Sequence, residues 1–237
     1  TERLMGILRE RGIRATFFLV GKQIGYYPDL VVRLQQEGHE IGNHTQSHRS
    51  LRDLPQEEQR AEIVSVQDTL RKLGVTCRYI RPPYGKYDAC TVDIARAEGT
   101  DIMLWSIDSM DWSRKARIET MKTLVAGQKL RGIFLFHDTH AQTVDAMPQI
   151  LDRLKAEGCR FVTVSEYLAA LQGAEAVPTG IEVREEEAPA LPPQSPVQED
   201  DASEVRRPFA QPEAEAEPEA GGEEAAAPVP DGAIPEE

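Results

Sequence analysis

Two histidines four residues apart, His44 and His48, open a series of chemically capable side chains that continues with Arg81, Asp108, Asp111, Trp112, His137, Asp138 and His140. If the segment between His44 and His48 coils into a helical turn, both imidazoles lie on one face, with β-carbons about 5–6 Å apart, close enough to reach one metal ion. Histidines at this spacing also serve as surface or capping residues, so the pair alone specifies no metal. His137 closes the apolar run Ile133-Phe134-Leu135-Phe136. There it is either a satisfied core histidine or a proton donor that titrates near neutrality. His39 has no partners in the sequence for a second metal site and reads as structural.

A parallel sheet would bring these residues together. Short β-rich runs at 15–20, 39–43, 78–81, 101–107, 132–136 and 160–164 alternate with stretches in which apolar residues recur at helical spacing, such as Leu30, Val31, Leu34 and Ile63, Val66, Leu70, Leu73. Gly12, Gly38, Gly74, Gly99, Gly132 and Gly158 each follow a helical stretch and are predicted as left-handed C-caps. Pro28 and Asp29 suit a helix's first turn. The alternation predicts an α/β fold with parallel strands and outer helices, as an open sheet or a closed barrel. Each chemical cluster follows a strand: Gly42-Asn43-His44, Arg81-Pro82-Pro83-Tyr84, the segment from Trp105 to Trp112, and Leu135-Phe136-His137-Asp138. Parallel strands carry all their C-terminal ends to one rim, where such folds build active sites. No glycine-rich loop joins strand to helix where a nucleotide phosphate would need one, which excludes dinucleotide-binding and triphosphatase readings.

Composition divides the chain in two. Of its 237 residues, 40 are Asp or Glu and 27 Lys or Arg, a net charge of −13. Residues 174–237 hold 18 of the acidic side chains, three basic ones, 11 of the 16 prolines and one aromatic residue, Phe209. This segment cannot bury enough apolar surface to offset its ordering entropy and is predicted to be a disordered, solvated spacer. Residues 1–173 then carry a net charge of +2 and suffice for one domain with a sizeable core. A near-neutral domain offers no strong field for nucleic acid or anionic lipid. No apolar run reaches the ~18 residues of a membrane span. Cys77, Cys90 and Cys159, odd in number and widely spaced, fit neither a disulfide framework nor a zinc knuckle and read as small buried hydrophobes. The helical pattern Leu4, Met5, Ile7, Leu8 begins at once after Thr1, which reads as a fragment whose preceding segment, with any signal peptide, is absent.

In order along the chain, His44-Thr45-Gln46-Ser47-His48, Arg81-Pro82-Pro83-Tyr84-Gly85, Asp108-Ser109-Met110-Asp111-Trp112 and Leu135-Phe136-His137 match four motifs. Through them residues 1 to about 170 resemble the polysaccharide deacetylases, the family-four carbohydrate esterases. The flanking Ala15-Thr16-Phe17-Phe18 and Arg160-Phe161-Val162-Thr163-Val164 are similar to that family's strands. The family's first motif, Thr-Phe-Asp-Asp-Gly, has no counterpart in the 237 residues, and residues 1–11 resemble the helix that follows it. The resemblance therefore implies a distorted, incomplete (β/α) barrel lacking its first strand, an activity belonging to the intact parent, and an inactive fragment.

The resemblance also implies a metal-dependent hydrolase that removes N-acetyl groups. Zinc or another divalent transition metal would be held by His44, His48 and an Asp of the absent motif, activating water for attack on the amide. His137 would be the general acid and Asp111 the group that fixes its tautomer. Arg81 would pair with the absent base, and the Tyr84 backbone N–H, in a turn stiffened by Pro82 and Pro83, would face the oxyanion. Trp112 and Leu135 would line the acetyl pocket or pack in the core; Asp108 would bind substrate hydroxyls or cap a turn. Asn43 would orient the metal loop, and Asp138 and His140 would stand behind the reacting groups. The implied partner is an acetylated glycan. The stretch from His137 through Thr143-Val144 to Ile150 is similar to bacterial peptidoglycan deacetylases, which points to peptidoglycan N-acetylglucosamine and an extracytoplasmic or cell-surface location, with chitin oligomers and acetylated xylan open. The alternative is a non-catalytic carbohydrate-binding or scaffold relative that has lost the first motif. Retention of His44, His48, Arg81, Asp111 and His137 together speaks for the enzyme.

Overall fold

Residues 1–113 and 131–175 are described by the computed structural model, all within the first of the chain's two units, Thr1–Gly180. The elements run α1 (Glu2–Glu10), β1 (Thr16–Leu19), α2 (Gly21–Tyr26), α3 (Pro28–Gln36), β2 (Glu40–Asn43), α4 (Gln56–Lys72), β3 (Tyr79–Ile80), α5 (Ala89–Ala97), β4 (Asp101–Ile102), β5 (Ile107–Asp108), β6 (Phe134–Leu135), α6 (Ala141–Ala156) and α7 (Val164–Glu175). Single 3-10 turns lie at Leu51–Asp53 and Pro83–Gly85. Strands β1 to β4 pair in parallel in sequence order, and β5 pairs in parallel with β6. The expected α/β architecture is thus the one observed. The expected tail lies outside the described residues from 176 onward, and among the described residues no helix is long and apolar enough to cross a membrane.

The helices form where apolar spacing and end signals agree. In α1 the buried Met5 and Leu8 lie three apart; α3 starts on Pro28, whose missing N–H has no helical partner to lose, and buries Val31 and Leu34. Gly12, Gly38, Gly74, Gly99 and Gly158 follow α1, α3, α4, α5 and α6 at φ of 63–85°, while Gly132 stands at 159°, before β6. The main core packs Phe17 and Ile41 of the sheet against Met5, Leu34, Val66, Leu70, Met147 and Leu151 of the surrounding helices.

Two expected strands are different in the structure. The run 101–107 breaks after Ile102, so β4 and β5 belong to separate sheets. The carbonyls of Met103 and Leu104 accept instead from the Arg81 side chain, at 3.2 and 3.1 Å, which takes them out of any ladder. The run 160–164 forms no strand. Thr163 and Glu166 make a reciprocal capping box: the Thr163 N–H donates to Glu166 Oε2 at 2.9 Å, and the Glu166 N–H donates to Thr163 Oγ1 at 3.4 Å. The β-branched residues yield to a Thr-x-x-Glu helix start, and Val164 opens α7.

Candidate metal and catalytic site

The segment from His44 to His48 is a loop and not the expected helical turn, because Thr45 and His48 stand at φ of 65° and 61°. It nevertheless brings the two imidazoles together, ring centroids 4.8 Å apart. Local side chains hold this shape. Asn43, fully buried at the end of β2, accepts the Thr45 N–H at 2.8 Å and donates to the Ile63 carbonyl at 2.9 Å, while Thr45 Oγ1 accepts the His48 N–H at 3.1 Å. Glu62 of α4 takes the Ser47 N–H at 2.8 Å and the Ser47 hydroxyl at 2.5 Å. From the other side, the first two N–H groups of α2 donate to the Thr45 and Gln46 carbonyls. Gly21 permits that approach: a β-carbon there would lie 2.1 Å from Gln46 Oε1.

His44 Nδ1 lies 2.6 Å from the Arg81 carbonyl, so this nitrogen carries the proton and Nε2 keeps its lone pair. Burial first, then His48, pushes the His44 pKa down to about 3, and burial followed by His137 lowers that of His48. Both rings are therefore neutral at physiological pH, the state in which imidazole ligates a metal. Among the described residues no group of three or more His, Cys, Asp or Glu is placed to hold a metal ion.

Arg81, buried at the end of β3, lays its guanidinium 3.9 Å from the centre of the Phe18 ring. Phe18 on β1 pairs with Gly42 on β2, where a β-carbon would sit 2.4 Å from the ring, so glycine leaves the room the aromatic needs. Among the described residues no carboxylate forms an ion pair with Arg81, and burial pulls its pKa down to about 10. Tyr84 follows in the Pro83–Gly85 turn at φ 59°, half exposed, its ring 5.1 Å from that of His48. The structure thus unites His44, His48, Arg81 and Tyr84.

The second cluster joins β5 to β6. Asp111, with no exposed surface, receives His137 Nδ1 on Oδ1 at 2.7 Å, and the His137 backbone N–H and Thr143 hydroxyl on Oδ2 at 2.7 and 2.9 Å. Burial opposes its ionisation, but the bonds from His137 outweigh this and hold the carboxyl below its usual pKa. Asp108 accepts the Met110 N–H at 2.8 Å, the turn-capping geometry of its two expected roles. Leu135 is buried in β6, whereas Trp112 is 47 % exposed. A cavity of about 330 Å³ between α5 and β4, bordered by Tyr87, Val92, Ile102 and Leu104, contains none of the expected residues. His39 is structural as expected: its Nδ1 accepts the Ala15 N–H at 3.2 Å, and its ring meets Phe17 edge-on. Sequence reading missed Glu62 and assigned Thr143 no role. The only signal for either was a polar residue at a helix position that proves to be buried.

The four non-glycine residues with positive φ among those described, Thr45, His48, Tyr84 and Met110, all lie in these motif loops. Left-handed backbone outside glycine gathers at functional sites, where surrounding contacts over-determine it.

Parallel strands in two sheets, whose ends carry paired imidazoles and a buried guanidinium in one and a carboxylate–imidazole couple in the other, define a hydrolase-like class. Residues 1–103 match the polysaccharide deacetylase family model. The chain is 36% identical over 170 residues to a peptidoglycan-N-acetylglucosamine deacetylase of Bacillus cereus, covering 69% of this chain and 62% of that protein. It is 34% identical over 168 residues to the peptidoglycan-N-acetylglucosamine deacetylase PgdA of Listeria monocytogenes, covering 70% of this chain and 35% of that protein. The chain thus spans about a third to three fifths of the length of these relatives. The solved peptidoglycan deacetylase PdaC of Bacillus subtilis superposes with a TM-score of 0.67 at 31% identity, covering 74% of this chain and 86% of that one. The chain belongs to the polysaccharide deacetylase family.

Proposed function

We propose that the chain provides most of the active site of a metal-dependent deacetylase that removes N-acetyl groups from a glycan. Peptidoglycan N-acetylglucosamine is the leading substrate, because the relatives named above carry that activity in their names. A cell-wall substrate places the reaction outside the cytoplasm. The observation that carries the reading is the conjunction of a close imidazole pair, in which the Arg81 carbonyl fixes the His44 tautomer, with a buried carboxylate–imidazole couple.

His44 and His48 fit two ligand positions of zinc or another divalent transition metal. A cation bound there supplies Lewis-acid polarisation of the amide carbonyl and lowers the pKa of water. The chain's own groups do the rest. Asp111 holds the Nδ1 proton of His137, so that Nε2 takes up a second proton and the resulting imidazolium hands it to the departing amine. Arg81 offers a fixed cation to a carboxylate base. Among the described residues the Tyr84 N–H has no hydrogen-bond partner, so it is available to an oxyanion. Trp112 presents an exposed face beside Asp111 on which a sugar ring can lie.

The third ligand and the base are not among the described residues, so we expect the 237 residues alone to release no acetate. The test compares acetate release from N-acetylglucosamine oligomers, with zinc, by this chain and by the same chain preceded by a strand ending in the family's paired Asp motif. Activity only in the extended chain, abolished together with zinc binding by His48→Ala, is the expected result. Equal activity in both, or zinc retained after His48→Ala, would overturn the assignment. The absence of a third ligand among the described residues also favours a second reading, a glycan-binding relative without catalysis. Glycan binding with no acetate release from the extended chain would establish it.

A further inference from the structure

We propose that Thr143, in the first turn of α6, is a positioning residue for deacetylation: its hydroxyl fixes the rotation of the Asp111 carboxylate and thereby the tautomer and aim of His137. The inference rests on the reading of His137 as the proton donor. Among the described residues three donors reach the Asp111 carboxylate, and two of them, the ring Nδ1 and the backbone N–H, belong to His137 itself. Those two could rock together with the carboxylate as one body. The Thr143 hydroxyl, 2.9 Å from Oδ2, is the contact anchored in another element.

That anchor is firm. Thr143 is 1 % exposed, its own N–H is held by the His140 carbonyl at 3.0 Å, and the next turns of α6 bury Val144, Met147, Ile150 and Leu151. The neighbouring Gln142 donates to the Asp111 carbonyl at 3.1 Å, so α6 grips both the backbone and the side chain of this residue. A carboxylate near a helix N-terminus also gains from the aligned peptide dipoles. With Oδ2 held from α6, Oδ1 points at the ring, and the neutral imidazole carries its proton on Nδ1, leaving the Nε2 lone pair to take up the proton that the imidazolium later gives the amine. Valine at 143 would preserve the shape and remove the bond. The carboxylate could then turn, and the ring would sample the opposite tautomer.

The test needs no turnover. Long-range ¹H–¹⁵N correlation of the imidazole nitrogens in the ¹⁵N-labelled 237-residue chain should show His137 as a single Nδ1–H tautomer, Thr143→Val should show a mixture, and Thr143→Ser should restore the single form. A Val variant with the wild-type pattern would overturn the proposal. So would a folded Ser variant with mixed tautomers, and this second arm stands even if the Val variant fails to fold. In a form that releases acetate, Thr143→Val should lower kcat about tenfold with KM unchanged, and Thr143→Ser should recover it. If the tautomer shifts as expected but no form releases acetate, the deacetylase reading falls while the hold of Thr143 on Asp111 remains. An unaltered tautomer in an active enzyme has the opposite meaning.

Discussion

Arg81 is buried, yet its donors end on the Met103 and Leu104 carbonyls and its plane rests on Phe18. A guanidinium taken from water with no carboxylate partner among the described residues is disfavoured, and burial accordingly lowers its pKa to about 10. With the folded value below the unfolded one, stability rises with pH from about 10 upward, and below that the cost of burying the charge is fully present. Arg81→Met, which keeps length and stacking, should therefore make this chain more stable by ~1 kcal/mol, about 2–4 °C in Tm. A fall of similar size would show that the carbonyl bonds outweigh desolvation. In a polypeptide that supplies a carboxylate opposite Arg81, the same substitution should destabilise. At this scale the proposed reacting groups were legible, because His44, His48, Arg81, Asp111 and His137 stand in spaced motifs. Glu62 and Thr143 were not, since a helical Glu or Thr looks the same facing water as facing a carboxylate or a hydroxyl.

Helix α4 shows why element periodicity was informative and incomplete. Its Ile63, Val66 and Leu70 follow the apolar spacing and enter the core, but Gln59, Glu62 and Gln67 are buried too. Gln59 binds the Leu54 carbonyl and the Asp88–Thr91 cap of α5, and Glu62 binds Ser47. The polar side of the helix is a clamp on two neighbouring loops. Glu62→Ala should leave the half-buried Ser47 N–H without its acceptor and lower unfolding free energy by about 1–3 kcal/mol, read as a denaturant midpoint shifted at constant slope. An unshifted midpoint would show that the motif loop keeps its shape without α4. The expected helical turn at 44–48 failed for a related reason: a four-residue spacing fits both a helix and a loop with two left-handed residues, and the contacts from Asn43, Thr45, Glu62 and α2 decide between them. The strands at 15–20 and 39–43 were legible because apolar residues and flanking glycines coincide. The 101–107 run was not, because Arg81 claims its carbonyls from a distant position in the chain.

For the whole molecule, charge divides close to the end of α7. Residues up to 173 are close to neutral, those beyond carry −15, and α7 ends at Glu175. A chain stopped at Glu175 should unfold at the same temperature as the full chain, and in an active form it should turn over soluble glycan oligomers at the same rate; loss of either would mean that residues 176–237 contribute more than a spacer. The parallel order of β1 to β4 carries His44, Arg81 and Tyr84 from separate stretches of sequence to one rim. That convergence was readable from strand order before any side chain was placed.

Thr45, His48, Tyr84 and Met110 hold a backbone conformation that glycine or asparagine would adopt with less strain. A lineage selected for thermal endurance alone would drift toward those residues and lose an imidazole and an aromatic from the rim in the process. Threonine, histidine, tyrosine and methionine at these positions accept backbone strain for the side chains that the rim presents, so the site is held at the expense of the stability of the chain that carries it.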